Sequence, residues 1–235
     1  MVINLWSSPR NISTALMYSF AQRADMQVVD EPFYAHYLKF TGVQRPDRVA
    51  TLAVMQHNPD EILRTKIFSD SKKHKFVKNI SVQLIGLNDA FIKKCQNIIL
   101  IRHPKDTLLS YTKVIKQPTI DDIGFKHQYD IYKKWHTKGA ISCIVNSNDL
   151  LKNPELFLTK ICKKLKLDFD KNMLNWQKGA RPEDGPWAKY WYENVHKSTG
   201  FKPFNENPTT LPNHLLPLYN ECLPYYNFLN NLKLT

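Results

Sequence analysis

The sequence predicts an α/β fold, a doubly wound parallel sheet with helices on both faces, and three observations carry that prediction. Short runs rich in Val, Ile and Leu recur at Val2–Leu5, Gln27–Asp30, Lys75–Ile80, Asn97–Ile101 and Ala140–Asn146, and helical patterns lie between most of them. Ile98-Ile99-Leu100-Ile101 is continuously apolar, as a strand buried on both faces must be, and such strands belong to parallel sheets. A length of 235 residues suits one such core, so a single domain spanning 1–235 is expected.

In chain order, the first strand breaks at Ser7-Ser8-Pro9, and a helical pattern starts behind Ser13, the expected N-cap. A strand, tight loop and helix N-terminus together aim unpaired backbone N–H groups and a helix dipole at one point, where an anionic oxygen can sit. Arg10 adds positive charge there, and Ser13 and Thr14 add hydroxyls. A nucleoside-triphosphatase loop is excluded, because its G-x-x-x-x-G-K-[ST] pattern needs glycines and none precedes Gly42. Asn11 is the residue expected to take the left-handed conformation in glycine's place.

The helix should fade near Arg23-Ala24-Asp25. The second strand then ends at Asp30-Glu31-Pro32, where proline stops the ladder and leaves both carboxylates at the carboxyl edge of the sheet. Taken alone, Glu31 fits a surface turn as well as a site. Phe33, Tyr34, His36 and Tyr37 follow, suited to a pocket wall or to the core. Residues 41–73 read as a helical, loop-rich excursion without a strand. Lys78 falls near the end of the third strand, and an amphipathic helix is expected from Ser81 to Lys94.

Arg102 closes the fourth strand, Pro104 opens the next helix, and Ser110 lies two turns into it, so Arg102 and Ser110 can reach one group above the sheet edge. A helix from Ile120 to Lys138, the fifth strand, a helix from Pro154 to Leu165, an irregular aromatic stretch over 179–204 containing Trp187, and a last helix over Asn213–Leu229 complete the chain.

Composition narrows the functional classes. There are 33 basic residues against 21 acidic ones, a net +12, but the lysines are scattered in short groups such as Lys72-Lys73 and Lys163-Lys164. A solvated surface is expected, with a small polyanion rather than nucleic acid as ligand. Cys95, Cys143, Cys162 and Cys222 show no metal-ligand spacing, so free thiols in a reducing compartment and no metal are expected. No apolar run approaches membrane-spanning length, and a cytoplasmic protein, monomeric or homodimeric, is expected.

Two stretches resemble the sulfotransferases that use 3′-phosphoadenosine 5′-phosphosulfate (PAPS). The donor-loop pattern P-[KR]-S-G-[ST]-T stands here as Pro9-Arg10-Asn11-Ile12-Ser13-Thr14, and R-x-P-x-D-x-x-x-S is met by Arg102, Pro104, Asp106 and Ser110. The closest form is a small bacterial-type branch, sometimes labelled aminotransferase-like, with P-R-N-I-S-T-A-L, D-E-P-F-Y-A-H-Y and S-T-G-F. The resemblance implies a P-loop-like sulfotransferase architecture and a metal-free sulfuryl transfer from PAPS to a hydroxyl or amine of a small molecule, with 3′,5′-ADP as product. It implies that Arg10, Asn11, Ile12, Ser13 and Thr14 hold the 5′-phosphosulfate, and that Arg102 and Ser110 hold the 3′-phosphate. By the same resemblance Glu31 is the general base with His36 in reserve, Lys78 lies beside the transferred group, and Phe33, Tyr34 and Trp187 contact the acceptor. Ser81, Val82 and Gln83 stand where the branch usually carries histidines, which excludes a histidine base there. The competing readings are a nucleotide-binding protein without sulfotransfer activity and a small-molecule or nucleotide kinase.

Overall fold

A computed structural model describes residues 1–69, 73–205 and 208–235. Five parallel strands form one sheet: β1 (Val2–Ser7), β2 (Met26–Asp30), β3 (His74–Ile80), β4 (Gln96–Ile101) and β5 (Ile141–Asn146), in the order β2-β3-β1-β4-β5. β1 is central because its Val, Ile and Leu residues can be buried on both faces, and it pairs with β3 and β4 in register from Ile3 to Ser7. The chain winds outward from β1 in both directions, so a crevice opens above the carboxyl ends of β1, β3 and β4, where such sheets bind ligands.

The pleat divides the core in two. Trp6, Val77, Ile99, Ile101 and Ile144 face one layer; Leu5, Phe76, Ile98, Leu100 and Val145 face the other. Helix α1 (Ser13–Ala21) covers the second layer, where Phe20 stacks on Phe76 with ring centroids 4.3 Å apart. The first layer is closed by α5 (Pro104–Tyr111), α7 (Phe125–Trp135) and α12 (Leu216–Asn230) after the shorter α2 (Tyr34–Thr41), α3 (Arg48–Val54), α4 (Pro59–Ile62) and α6 (Ile120–Ile123). Further along are α8 (Ser147–Lys152), α9 (Pro154–Lys164), α10 (Ala188–Trp191) and α11 (Glu193–His196).

Several expected elements differ. The helix predicted for Ser81–Lys94 is two 3₁₀ turns, Ser81–Leu84 and Asp89–Lys94. Between them Gly86 takes φ 76°, and a Cβ there would lie 2.7 Å from the Phe40 ring, so the close approach of that ring sets the break. The helix predicted for Ile120–Lys138 splits into α6 and α7 at Gly124, which is left-handed at φ 78°. In the 41–73 excursion α3, α4 and a π-helical turn over Leu63–Ile67 supply the helical content, and residues 70–72, Lys72 included, lie outside the described residues. All four cysteines are free and buried, and among the described residues no helix is long and apolar enough to cross a membrane.

Candidate active site

The crevice holds a cavity of about 480 Å³ whose wall brings together the loop after β1, the ends of β2 and β3, Arg102 just after β4, and Ser110 and Tyr111 at the end of α5. Two residues of the loop are left-handed, Arg10 at φ 58° and Ile12 at φ 50°, and Asn11 is not. Asn11 is instead buried and ties the loop down, donating from Nδ2 to the Leu100 carbonyl at 2.5 Å and to Ser8 Oγ at 3.2 Å. Ile12, not Ser13, occupies the N-cap of α1 and supplies no side-chain cap. Ser13, Thr14 and Ala15 therefore begin the helix at the cavity wall, with the first-turn N–H groups that no helix can satisfy internally.

Arg10 and Arg102 converge on this loop. Arg10 donates from Nε to Ser110 Oγ at 2.9 Å and from Nη1 to the Trp191 carbonyl at 2.8 Å, while Arg102 donates to the Arg10 carbonyl. Burial, reinforced for Arg10 by the charge of Arg102, holds both guanidinium groups below their ordinary pKa, and only the more distant Asp106 counters this at Arg102. Neither forms an ion pair among the described residues. Two half-buried, mutually repelling cations beside helix-end amides and the Ser110 hydroxyl form a donor set that matches a dianionic phosphate or sulfate.

Opposite the loop lies a second charged cluster. Asp30 and Lys78 are paired in the β2–β3 register, and the Glu31 amide extends the ladder by donating to the Lys78 carbonyl at 2.8 Å, with Glu31 itself left-handed at φ 41°. The Lys78 ammonium, 1% exposed, donates to Asp30 Oδ1 at 3.0 Å, to Glu31 Oε1 and to Tyr192 Oη at 2.6 Å. Burial alone would lower the Lys78 ammonium, but the carboxylates of Asp30 and Glu31 outweigh it and hold it above its ordinary value. Asp30 moves the other way: burial, only partly offset by Lys78, pushes it up to about 6. Glu31 Oε2 accepts from Gln83 Nε2 at 2.5 Å. Glu31, Lys78 and Gln83 reach the cavity surface, whereas Asp30 lies behind them.

Tyr34, Tyr37, Ile80, Val82, Tyr111 and Trp187 form the more apolar end of the cavity. Trp187 meets Tyr34 edge-on at 5.0 Å and donates from Nε1 to Tyr192 Oη at 2.8 Å. Phe33 and His36 are not brought to this wall. Phe33 is fully buried in the first core layer against Phe91, with ring centroids 5.4 Å apart. The His36 ring stacks on Phe40, and its Nε2 lies 3.2 Å from the Ile85 carbonyl. The helix period explains both placements: Tyr34 and Tyr37 share one face of α2 at i, i+3, while His36 and Phe40 share another at i, i+4. Sequence reasoning set the Trp187–Tyr192 stretch at the pocket without giving Tyr192 a role of its own, and it missed Gln83 and the Arg45–Asp122 ion pair, which stands in the wall beside Tyr37 and Tyr111. Tyr192 and Arg45 come from aperiodic segments that offer no local signal.

With this geometry in place, comparison with known proteins becomes specific. The family model described as "Sulfotransferase domain" matches residues 1–232. The chain belongs to the sulfotransferase family. Arabidopsis thaliana proteins named "Branched-chain-amino-acid aminotransferase-like protein 1" and "2" are each 40% identical to this sulfotransferase chain, over 232 and 230 residues. The match covers 98% of this chain and 42% of the first relative, so the chain spans about two fifths of the length of the curated relatives it matches. Among solved structures, the sulfotransferase domain of the Synechococcus PCC 7002 olefin synthase aligns with a TM-score of 0.53 at 15% identity, covering 94% of this chain and 93% of that one. A sulfotransferase from Alicyclobacillus acidocaldarius aligns at 0.55 and 9% identity, covering 98% and 96%. Both share the sulfotransferase fold.

Proposed function

We propose that this chain moves a sulfuryl group from PAPS to a hydroxyl or amine of a small-molecule acceptor, as one domain working in a reducing, cytoplasmic setting. The observation that carries this reading is the convergence of Arg10, Arg102 and Ser110 on the α1 N-terminus, facing the Glu31–Lys78 pair across one cavity. Arg102 and Ser110 would hold the 3′-phosphate, and the loop amides with Arg10, Ser13 and Thr14 the 5′-phosphosulfate. Bound PAPS supplies the activated sulfuryl group. All three Lys78 N–H groups are engaged, by Asp30, Glu31 and Tyr192, so Lys78 would turn the one it shares with Glu31 to the sulfuryl oxygens as Glu31 takes the proton from the attacking acceptor, while the aromatic end of the cavity excludes water. Tyr34, Tyr37 and Trp187 are proposed as acceptor contacts, with Phe33 and His36 serving the packing described above.

The nucleotide assignment has a direct test. A charge-assisted, bidentate contact is worth at least ~1.5 kcal/mol, so 3′,5′-ADP is expected to bind roughly tenfold or more tightly than 5′-AMP. Arg102→Ala should remove most of that difference. Calorimetry showing equal affinities for the intact protein would reject the 3′-phosphate role. A screen of hydroxyl and amine metabolites with PAPS, read by mass spectrometry, would identify the acceptor.

Turnover is expected to persist in EDTA. The sulfuryl group carries less charge than a phosphoryl group, and Arg10, Lys78 and the loop amides can stabilise what develops on it. Loss of turnover in EDTA with recovery on adding magnesium would favour the kinase reading.

A further inference from the structure

We infer that Tyr192 is a positioning residue for sulfuryl transfer: its hydroxyl divides the two adjacent carboxylates into an anchor for Lys78, Asp30, and a base free to face the acceptor, Glu31. The inference rests on the proposed function for its catalytic meaning, and on hydrogen-bond counting for its geometry.

A phenol has one proton to donate and two lone pairs. Tyr192 Oη lies 2.6 Å from Lys78 Nζ and 2.8 Å from Trp187 Nε1, and both of those groups are donors only, so together they take up both lone pairs. The phenolic proton must therefore leave in a third direction. Asp30 Oδ2 stands there at 2.7 Å, whereas Glu31 Oε1 is 3.5 Å away. Asp30 thus accepts from Lys78 through one oxygen and from Tyr192 through the other, and it does not line the cavity. Glu31 keeps its place at the cavity surface.

The ionisation of the phenol fits this role. Burial, together with the charges of Asp30 and Glu31, holds Tyr192 well above its ordinary pKa, so the hydroxyl stays a donor across the working range. The groups facing Asp30 are Lys78, Glu31 and Tyr192, with Tyr18 of α1 close enough to feel its charge.

The test is Tyr192→Phe, which keeps the ring and removes the hydroxyl. Losing a hydrogen bond to a charged group is expected to lower kcat about 10- to 100-fold with little change in KM for PAPS. Without its phenolic donor the Asp30 carboxylate is less stable, so the titration of Asp30 itself, near 6 in the wild type, should move upward by roughly one pH unit. A tyrosine that only packed would leave that titration in place, and an unmoved titration, whatever the rate, overturns the inference. Infrared difference titration of the carboxyl band, without substrate, separates this failure from failure of the sulfotransfer reading. The wild-type band should titrate near 6 and the Tyr192→Phe band higher, even if no acceptor is ever turned over. If Tyr192→Phe does not fold, Asp30→Asn serves instead: the band near 6 should vanish, and its persistence overturns the assignment.

Discussion

Glu31→Gln is expected to lower kcat by ~10²–10⁴-fold, the usual value of a general base, while the affinity for 3′,5′-ADP stays close to that of the wild type. The split follows from the geometry. Glu31 faces the cavity opposite the donor loop and makes its contacts with Lys78 and Gln83, so the substitution leaves the Arg10, Arg102 and Ser110 cluster untouched. A glutamine can still accept from Lys78 but has no basic oxygen for the acceptor's proton. His36→Gln is the matched control. Its ring is engaged with Phe40 and the Ile85 carbonyl, so turnover in that variant should stay near normal. Steady-state rates with product detected by mass spectrometry decide between them: normal turnover in Glu31→Gln beside an inactive His36 variant would transfer the role to the histidine.

Lys78→Met should damage both rate and stability, for separable reasons. Loss of a donor aimed at developing charge costs about 10²–10³ in kcat. Removing the ammonium also leaves two adjacent carboxylates, Asp30 and Glu31, buried without their shared partner, and breaking a buried pair in this way costs about 3–5 kcal/mol. The sign with pH is fixed. Asp30, already raised by burial, loses the charge that partly offset it and so lies further above its unfolded value; the penalty is largest at neutral pH and fades as pH falls through the Asp30 value and a proton is taken up. Urea denaturation at pH 7.5 and pH 5 should show the gap from wild type narrowing. Adding Asp30→Asn should restore part of the stability and none of the rate, whereas recovery of both would mean that Lys78 acts only as a structural counter-ion.

The sheet was legible in the sequence because its signals are local. Ile98 to Ile101 can only be a two-sided strand, and the Pro9–Thr14 and Arg102–Ser110 stretches are each short and continuous in the chain, so the motif and the geometry coincide. Where neighbours in space are distant in sequence, the reading ran out. Tyr192 reaches Asp30 across 162 positions, from a segment without periodicity. The Ser81–Lys94 pattern looked helical because its apolar residues recur suitably, but the steric demand of Phe40 on Gly86 is a tertiary fact. Phe33 and His36 could have been separated from Tyr34 and Tyr37 only by predicting the short helix Tyr34–Thr41, whose period turns His36 and Phe40 to a different face from Tyr34 and Tyr37.

Of the four non-glycine residues that hold left-handed backbone among the described residues, three, Arg10, Ile12 and Glu31, lie in the cavity wall, and only Lys166 lies elsewhere. Each such conformation costs about 1–2 kcal/mol in an L-residue, and Ile12, being β-branched, occupies the position where the donor-loop pattern has its glycine. Breeding this protein for heat tolerance would therefore pull against its chemistry. Glycine at position 12 relieves the backbone yet enlarges the set of shapes the unfolded loop can take, so the gain is partly cancelled. At positions 10 and 31 the same exchange deletes the side chains that face the cavity. Variants selected only for a higher melting temperature should accumulate away from the carboxyl edge of the sheet, in the two core layers and the helix ends, leaving the strained rim as it is.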